Sequence, residues 1–189
     1  MGLTEWAYSL SEAMLSESLP RRWAHSLGVA KCARSLAPIL GDDADLLEAA
    51  AVLHDVGYSP AIATTGFHPL DGARFLRDQE AADERVVRLV AHHSCAVLEA
   101  EERGLRKELE TEFQLERPDL VDALIYCDMT TTPDGARTTP TERLDEIVRR
   151  YGPETIVGRF IQRAAPEIHA AAGRVEERAA RASAGSQPM

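Results

Sequence analysis

One dipeptide constrains this chain more than any other feature: His54-Asp55, at the end of the run Glu48-Ala49-Ala50-Ala51-Val52-Leu53 and just before Val56-Gly57. Leu47, Ala50, Ala51 and His54 fall at i, i+3, i+4 and i+7, so the imidazole continues the apolar stripe of a helix. Asp55 follows about 100° further round the same helix. Both side chains can therefore converge on one point beyond the helix end. A carboxylate at the edge of a core is costly unless a cation or hydrogen-bond donors compensate it. A metal ion meets that requirement, provided the chain supplies further ligands.

The fold expected around the pair is all-α, a compact multi-helix bundle. Runs of alternating β-branched and aromatic residues are almost missing, and helix punctuation is frequent. Helices are expected over residues 3–19, ended by Pro20, and over 21–40, stopped by Gly41. The next is capped by Asp42 or Asp43 and ends at Asp55 to Gly57. After an irregular stretch from Tyr58 to Phe67, a helix covers 69–79 with His68 as N-cap and Pro69 at N1. Asp83 opens 84–94, and 96–116 continues with a break near Gly104. Pro118 starts a helix through Asp128. Thr130 to Thr139 form a loop. Thr139-Pro140-Thr141-Glu142 reads as a capping box opening a helix to Tyr151, and Pro153 starts a last helix interrupted by Pro166. The chain is expected to form one domain over residues 1–181, with a metal-binding core at about 20–130 and a disordered tail at 182–189.

Composition narrows the partners. The 189 residues carry 21 Lys plus Arg against 31 Asp plus Glu, a formal charge of −10. That balance argues against nucleic-acid or anionic-membrane binding while leaving room for a locally basic pocket. No apolar stretch approaches about 18 residues, and no basic segment leads into an apolar run at the start, so the expected location is cytoplasmic. Cys32, Cys95 and Cys127 form no C-x-x-C pair and are expected to be small core residues in a reducing compartment. The oligomeric state, a homo-oligomer included, stays open.

Further ligands can be sought as ionisable residues on other apolar stripes. Asp128 follows Val121, Leu124 and Ile125, and His93 follows Val86, Leu89 and Val90, each at i, i+3, i+4, i+7. His92 is one position off. His25 shares a face with Gly28, Val29, Cys32 and Leu36. Any one of these could be a satisfied core residue; together they are hard to read as ordinary surface. His169 lies in a late polar helix and is read as surface.

The order His25, His54-Asp55, Asp128, with Leu-His-Asp-Val-Gly-Tyr at its centre, resembles the H…HD…D signature of the HD superfamily of metal-dependent phosphohydrolases. The resemblance implies a helical domain whose His25, His54, Asp55 and Asp128 hold a first divalent ion. In dinuclear members two more histidines lie between the HD pair and the last aspartate, where this chain has His68 and His92-His93. The resemblance then implies that Asp55 bridges two ions and that His68 and His93 bind the second, with His92 an alternative. The ions would be one or two of Fe, Mn, Co, Ni or Zn. The implied activity is cleavage of a nucleotide or other small phosphoester or phosphoanhydride by a metal-activated hydroxide, with Asp55 the catalytic bridging carboxylate. Arg21, Arg22 and Lys31 are candidate phosphate contacts or else solvated helix-face charges; Arg137 and Thr130, Thr131 and Thr132 are further candidates, and the 58–67 loop is a candidate lid or rim. No Gly-Tyr-Pro follows His92-His93, unlike the cyclic-di-GMP phosphodiesterases. Val-Gly-Tyr-Ser-Pro follows His54-Asp55 without the acidic pair of the (p)ppGpp hydrolases. His68…His93-Ser94 is partly similar to HD proteins that split diadenosine tetraphosphate. Two other readings share the ligand order: a mixed-valent di-iron oxygenase of the same fold, and a non-catalytic module stabilised by its metal.

Overall fold

The computed structural model describes residues 2–185, and Ser186 to Met189 of the expected tail lie outside them. Among the described residues the architecture is all-α, without strands. The helices are α1 (Leu3–Leu15), α2 (Pro20–Ser35), α3 (Ala37–Leu40), α4 (Ala44–Leu53), α5 (His68–Asp78), α6 (Glu84–His92), α7 (Ala96–Arg103), α8 (Arg106–Glu112), α9 (Pro118–Met129), α10 (Pro140–Tyr151) and α11 (Ile156–Gly185), with short 3₁₀ turns at Gly41–Asp43, Val56–Tyr58 and His93–Cys95. No described helix is long and apolar enough to cross a membrane.

The organising element is α4. Every residue from Leu46 to Leu53 is buried, so this helix is covered on all sides rather than along one stripe. α1 and α2 pack on it, as do α6 and α9. Its one charged interior residue, Glu48, accepts from Arg34 Nη2 at 2.6 Å and from Tyr8 Oη at 3.0 Å. A second apolar cluster joins Ile125 and Met129 of α9, Leu144 and Ile147 of α10, and Phe160, Ile161, Ala164, Ile168 and Ala171 of α11.

Several boundaries follow local chemistry that the sequence displays. The Asp83 side chain accepts from Arg85 N at 2.8 Å, Gly104 closes α7 at φ +72°, and the Thr139–Glu142 capping box is formed in both directions. Others differ from expectation. The 21–40 helix breaks at Leu36, because Pro38 lacks an N–H and restrains the residue before it. α5 begins at His68 itself, with Phe67 in the N-cap position. Asp43 occupies the N-cap position of α4 without capping it; its carboxylate is drawn to Arg85 and Arg117, each at 2.7 Å. α8 ends at Glu112 rather than 116. The expected interruption at Pro166 is absent, and α11 runs through it. Pro166 is exposed while Ile161, Ala164 and Ile168 of the same helix are buried. The Gln162 carbonyl it orphans can thus meet water, and packing of the inner face outweighs a cost of about 3 kcal/mol. α11 also continues to Gly185, into the stretch expected to fray, where Ala179, Ala180 and Ala182 favour helix.

One close approach sets the geometry beyond α4. A Cβ on Gly57 would lie 2.0 Å from the His68 carbonyl oxygen and 2.7 Å from Gly72 N, all backbone atoms. Only glycine lets the 3₁₀ turn lie on α5, which brings Asp55 and His68 together. Gly57→Ala is therefore expected to destabilise the protein by about 3 kcal/mol or more and to lower Tm by about 6–12 °C, as read by thermal unfolding.

Candidate metal centre

His54 is the C-cap residue of α4, and its Nδ1 lies 2.7 Å from the Ala51 carbonyl. His25 Nδ1 lies 3.0 Å from Thr132 O, and His93 Nδ1 lies 2.6 Å from Val90 O. A carbonyl can only accept, so each Nδ1 carries a proton and each Nε2 is the nitrogen left to face the carboxylates. The Nε2 atoms of His25 and His54 converge with Asp128. His54 Nε2 is buried with no hydrogen-bond partner, 3.5 Å from Asp55 Oδ2 and 4.0 Å from Asp128 Oδ1. His25 Nε2 lies 2.9 Å from Asp128 Oδ1.

A second convergence sits beside the first. His68 Nε2 is 3.0 Å from His93 Nε2 and 3.4 Å from Asp55 Oδ1. The ligand atoms of His25, His54 and Asp128 lie within 4.8 Å of one another, and so do those of Asp55, His68 and His93. Each group offers two imidazole nitrogens and a carboxylate, a borderline-soft set suited to first-row transition ions. Three donors leave coordination positions open, as in catalytic rather than structural sites. The orphaned His54 Nε2 and the facing Nε2 atoms of His68 and His93 are where a cation would sit, so the residues fit a divalent metal.

Electrostatics agree. Burial pushes the Asp55 carboxyl up, but the Arg22 guanidinium, followed by His54, His68 and His25, overcomes it and holds the group well below the usual carboxylate range. Asp128 is likewise pushed up by burial and brought far down by its His25 hydrogen bond, by His54 and by Arg143. Burial lowers His68 well below an ordinary imidazole, with His93 acting in the same direction, and burial and then His54 lower His93. At neutral pH both carboxylates are charged while His68 and His93 are neutral, the protonation states that ligate.

The surrounding residues fix this arrangement. Arg22 Nη1 donates to Asp55 Oδ2 at 2.6 Å, and its guanidinium lies over the Tyr58 ring at 3.4 Å, while Tyr58 stacks on His68 at 3.8 Å. Ser94 adopts a left-handed backbone (φ 49°, ψ 42°) and its Oγ donates to Asp128 Oδ2. Such strain in a non-glycine residue is sustained where surrounding structure over-determines it. Gly28 lets the 130–139 loop lie on α2: a Cβ there would meet Gly135 O at 2.5 Å and Thr131 Cγ2 at 2.7 Å. That contact carries the Thr132 carbonyl to His25.

Not every residue singled out from sequence reaches the centre. His92 is buried but points elsewhere, its Nε2 bonded to Phe113 O at 2.8 Å, and it belongs to neither group. Arg21 is exposed and pairs bidentately with Asp134 at 2.8 and 3.1 Å. Lys31 is exposed and lines neither cavity at the centre, lying about 120° round α2 from His25. Thr130 and Thr131 turn their hydroxyls back to the Tyr126 and Cys127 carbonyls, and Arg137 bonds Thr130, Tyr126 and the Cys32 sulfur. Of the 58–67 loop, Tyr58 lines the cavity, while Thr64 and Thr65 are tied down by the Asp71 carboxylate. Cys32 and Cys127 are buried free thiols.

Two arginines escaped the sequence reading. Arg143 and Arg150 of α10 line the cavity over the two ligand groups, with Ile147 between them. The signal was available in part: Arg143 lies on the face that α10 buries, with Ile147, whereas Arg150 is exposed at the cavity's edge. Glu99 also lines the cavity; burial raises its carboxyl while Arg103 opposes the shift.

Ser94→Ala should weaken divalent-metal affinity by about 10- to 100-fold, because partners that orient a ligand contribute on that scale; calorimetric titration of the metal measures it. His93→Gln should lower metal stoichiometry and His92→Gln should not, as elemental analysis of the purified variants will show.

The HD-domain family model matches residues 22–150. Ribonuclease Y of Rubrobacter xylanophilus is 40% identical over 70 residues, which is 37% of this chain and 14% of that protein. Ribonuclease Y of Rhodopirellula baltica is 37% identical over 75 residues, 40% of this chain and 14% of that protein. The aligned stretch thus spans about one seventh of the length of these curated relatives. No solved structure matches the chain.

Proposed function

The chain belongs to the HD-domain family of metal-dependent phosphohydrolases, and on that premise we propose that it hydrolyses a small phosphorylated substrate, nucleotide-like in class, at a two-ion centre. His25, His54 and Asp128 would hold one divalent ion and Asp55, His68 and His93 the other. When bound, such ions activate water and offset charge developing on phosphoryl oxygens.

The observation that carries the two-ion reading is the placement of Asp55. Its Oδ2 faces His54 and its Oδ1 faces His68, so a single carboxylate addresses both groups. Arg22 holds Asp55 in that orientation and keeps it ionised. The chain's other contributions concern the substrate. Arg143, with Nη2 4.0 Å from Asp128 Oδ1, places positive charge beside the centre. Ile147, Val157, Phe160 and Ile161 wall the cavity with apolar surface, which strengthens the electrostatic interactions inside it. The cations beside the ligands favour an anionic substrate such as a phosphate.

The curated relatives are named as ribonucleases, which raises phosphodiester cleavage in RNA as a neighbouring reading. The formal charge of −10 weighs against a long polyanion here.

Metal-loaded protein should release orthophosphate or a nucleoside phosphate from members of a panel of nucleotides and small phosphoesters. Asp55→Ala should lower that rate at least ~10³-fold, beyond the loss typical of one electrostatic contact. If the panel yields no activity that Asp55→Ala removes, the assignment fails.

A further inference from the structure

Beside the ligand groups lies a second, larger chamber of about 310 Å³. Arg22, His25, Arg143 and Arg150 line both it and the cavity of the metal centre. Its remaining walls are Leu19, Pro20 and Arg21 at the start of α2, with Ser18 and Pro133. Four of its lining residues are arginines and none is acidic, in a chain whose net charge is −10.

The arginines are set in order. Arg22 is innermost, on Asp55. Arg143 and Arg150 are held side by side by one residue, Glu146, which receives Arg143 Nη1 at 2.5 Å and Arg150 Nε at 3.3 Å. Arg143 is only 7% exposed, and its Nε is buried with no hydrogen-bond partner. The N-terminus of α2, whose N-cap Leu19 offers no side-chain cap, adds the positive end of a helix dipole to the same wall.

A substrate with one phosphoryl group would engage the ligand groups and Arg22, leaving Arg143 and Arg150 at the wall of an unfilled chamber. We infer that the chamber binds a second phosphoryl group joined directly to the first, so that the substrate class is a phosphoanhydride; this rests on the phosphohydrolase reading above. In hydrolysis the water oxygen bonds to the phosphorus at the ligand groups and the bridging P–O bond breaks. The leaving phosphate keeps the electron pair, and the proton lost from water passes to it or to solvent. Arg143 and Arg150 offer planar forks that match phosphate oxygens. RNA suits this arrangement less, because ribose separates its charges whereas the two guanidiniums are held together.

The test is calorimetric binding to the metal-loaded protein of methylenediphosphonate, whose P–C–P link cannot be hydrolysed, against orthophosphate and a short oligoribonucleotide, with metal content measured afterwards. Methylenediphosphonate should bind at least ~10-fold tighter than orthophosphate, the value of one charged hydrogen bond. Arg150→Gln should cut that preference by about 10-fold or more while orthophosphate binding holds, and Arg143→Gln, beside Asp128, should weaken both probes and methylenediphosphonate the more. Arg150 does not neighbour a ligand, so Arg150→Gln decides the matter if Arg143→Gln loses metal. Equal binding of the two probes, preference retained in Arg150→Gln, or tighter binding of the oligoribonucleotide overturns the inference. A preference for methylenediphosphonate without any hydrolysis that Asp55→Ala removes would leave the chamber standing and sink the phosphohydrolase reading instead.

Discussion

Asp55 is 3% exposed and sits at the end of a helix whose other residues are nearly all apolar. An ionised carboxylate in that position is tolerable only if its surroundings answer its charge, and stripping one partner from a buried pair costs about 3–5 kcal/mol. Much of the nearby structure can be understood as that answer. Arg22 reaches it from α2 at 2.6 Å. Tyr58, between Arg22 and His68, keeps the guanidinium aimed and the imidazole flat. Gly57, without a Cβ, lets the turn bearing Tyr58 settle on α5.

The histidines are governed from behind. Thr132 O, Ala51 O and Val90 O each take one Nδ1–H, and so each selects the tautomer whose Nε2 faces the carboxylates. Two of these carbonyls belong to the helix that ends in the histidine, so helix termination itself prepares the ligand. The third comes from the 130–139 loop, 107 residues away in sequence, and depends on Gly28 for its approach. Position in the chain and position in the site are thus linked by backbone contacts more than by side chains.

This explains which parts were readable from the amino-acid sequence. His25, His54, His93 and Asp128 could be found because each lies on a helical apolar stripe, and periodicity reports the direction of a side chain. Asp55 was reached as the neighbour of His54 at the helix end and His68 through motif order, and the structure brings both to the centre. The stripe alone favours His93 over His92 without excluding either; what separates them is the Phe113 carbonyl, supplied by a segment whose docking no local pattern reveals. Lys31 shares a helix with His25, but neighbourhood along a helix says little about a particular face. The Pro166 expectation failed for a related reason: a propensity of about 3 kcal/mol is smaller than what the packed inner face of α11 supplies. The helix class itself survived such errors, since capping boxes, glycine stops and proline starts are local signals.

The ligands, with Arg22, and the two outer arginines come from different parts of the chain. The six residues of the ligand groups come from α2, α9 and the segments around α4, α5 and α6, which pack into the first apolar cluster or flank it. Arg143 and Arg150 come from α10, which is held by α11 through the second cluster. The family match ends at residue 150, yet Val157, Phe160 and Ile161 of α11 line the cavity. The two ligand groups therefore lie within the matched region, while part of the cavity wall lies beyond it. Changes in α11 can alter the shape of that wall and the seating of Arg143 and Arg150 without touching a ligand. A fold of this kind separates the problem of stabilising two buried carboxylates from the problem of choosing what binds above them.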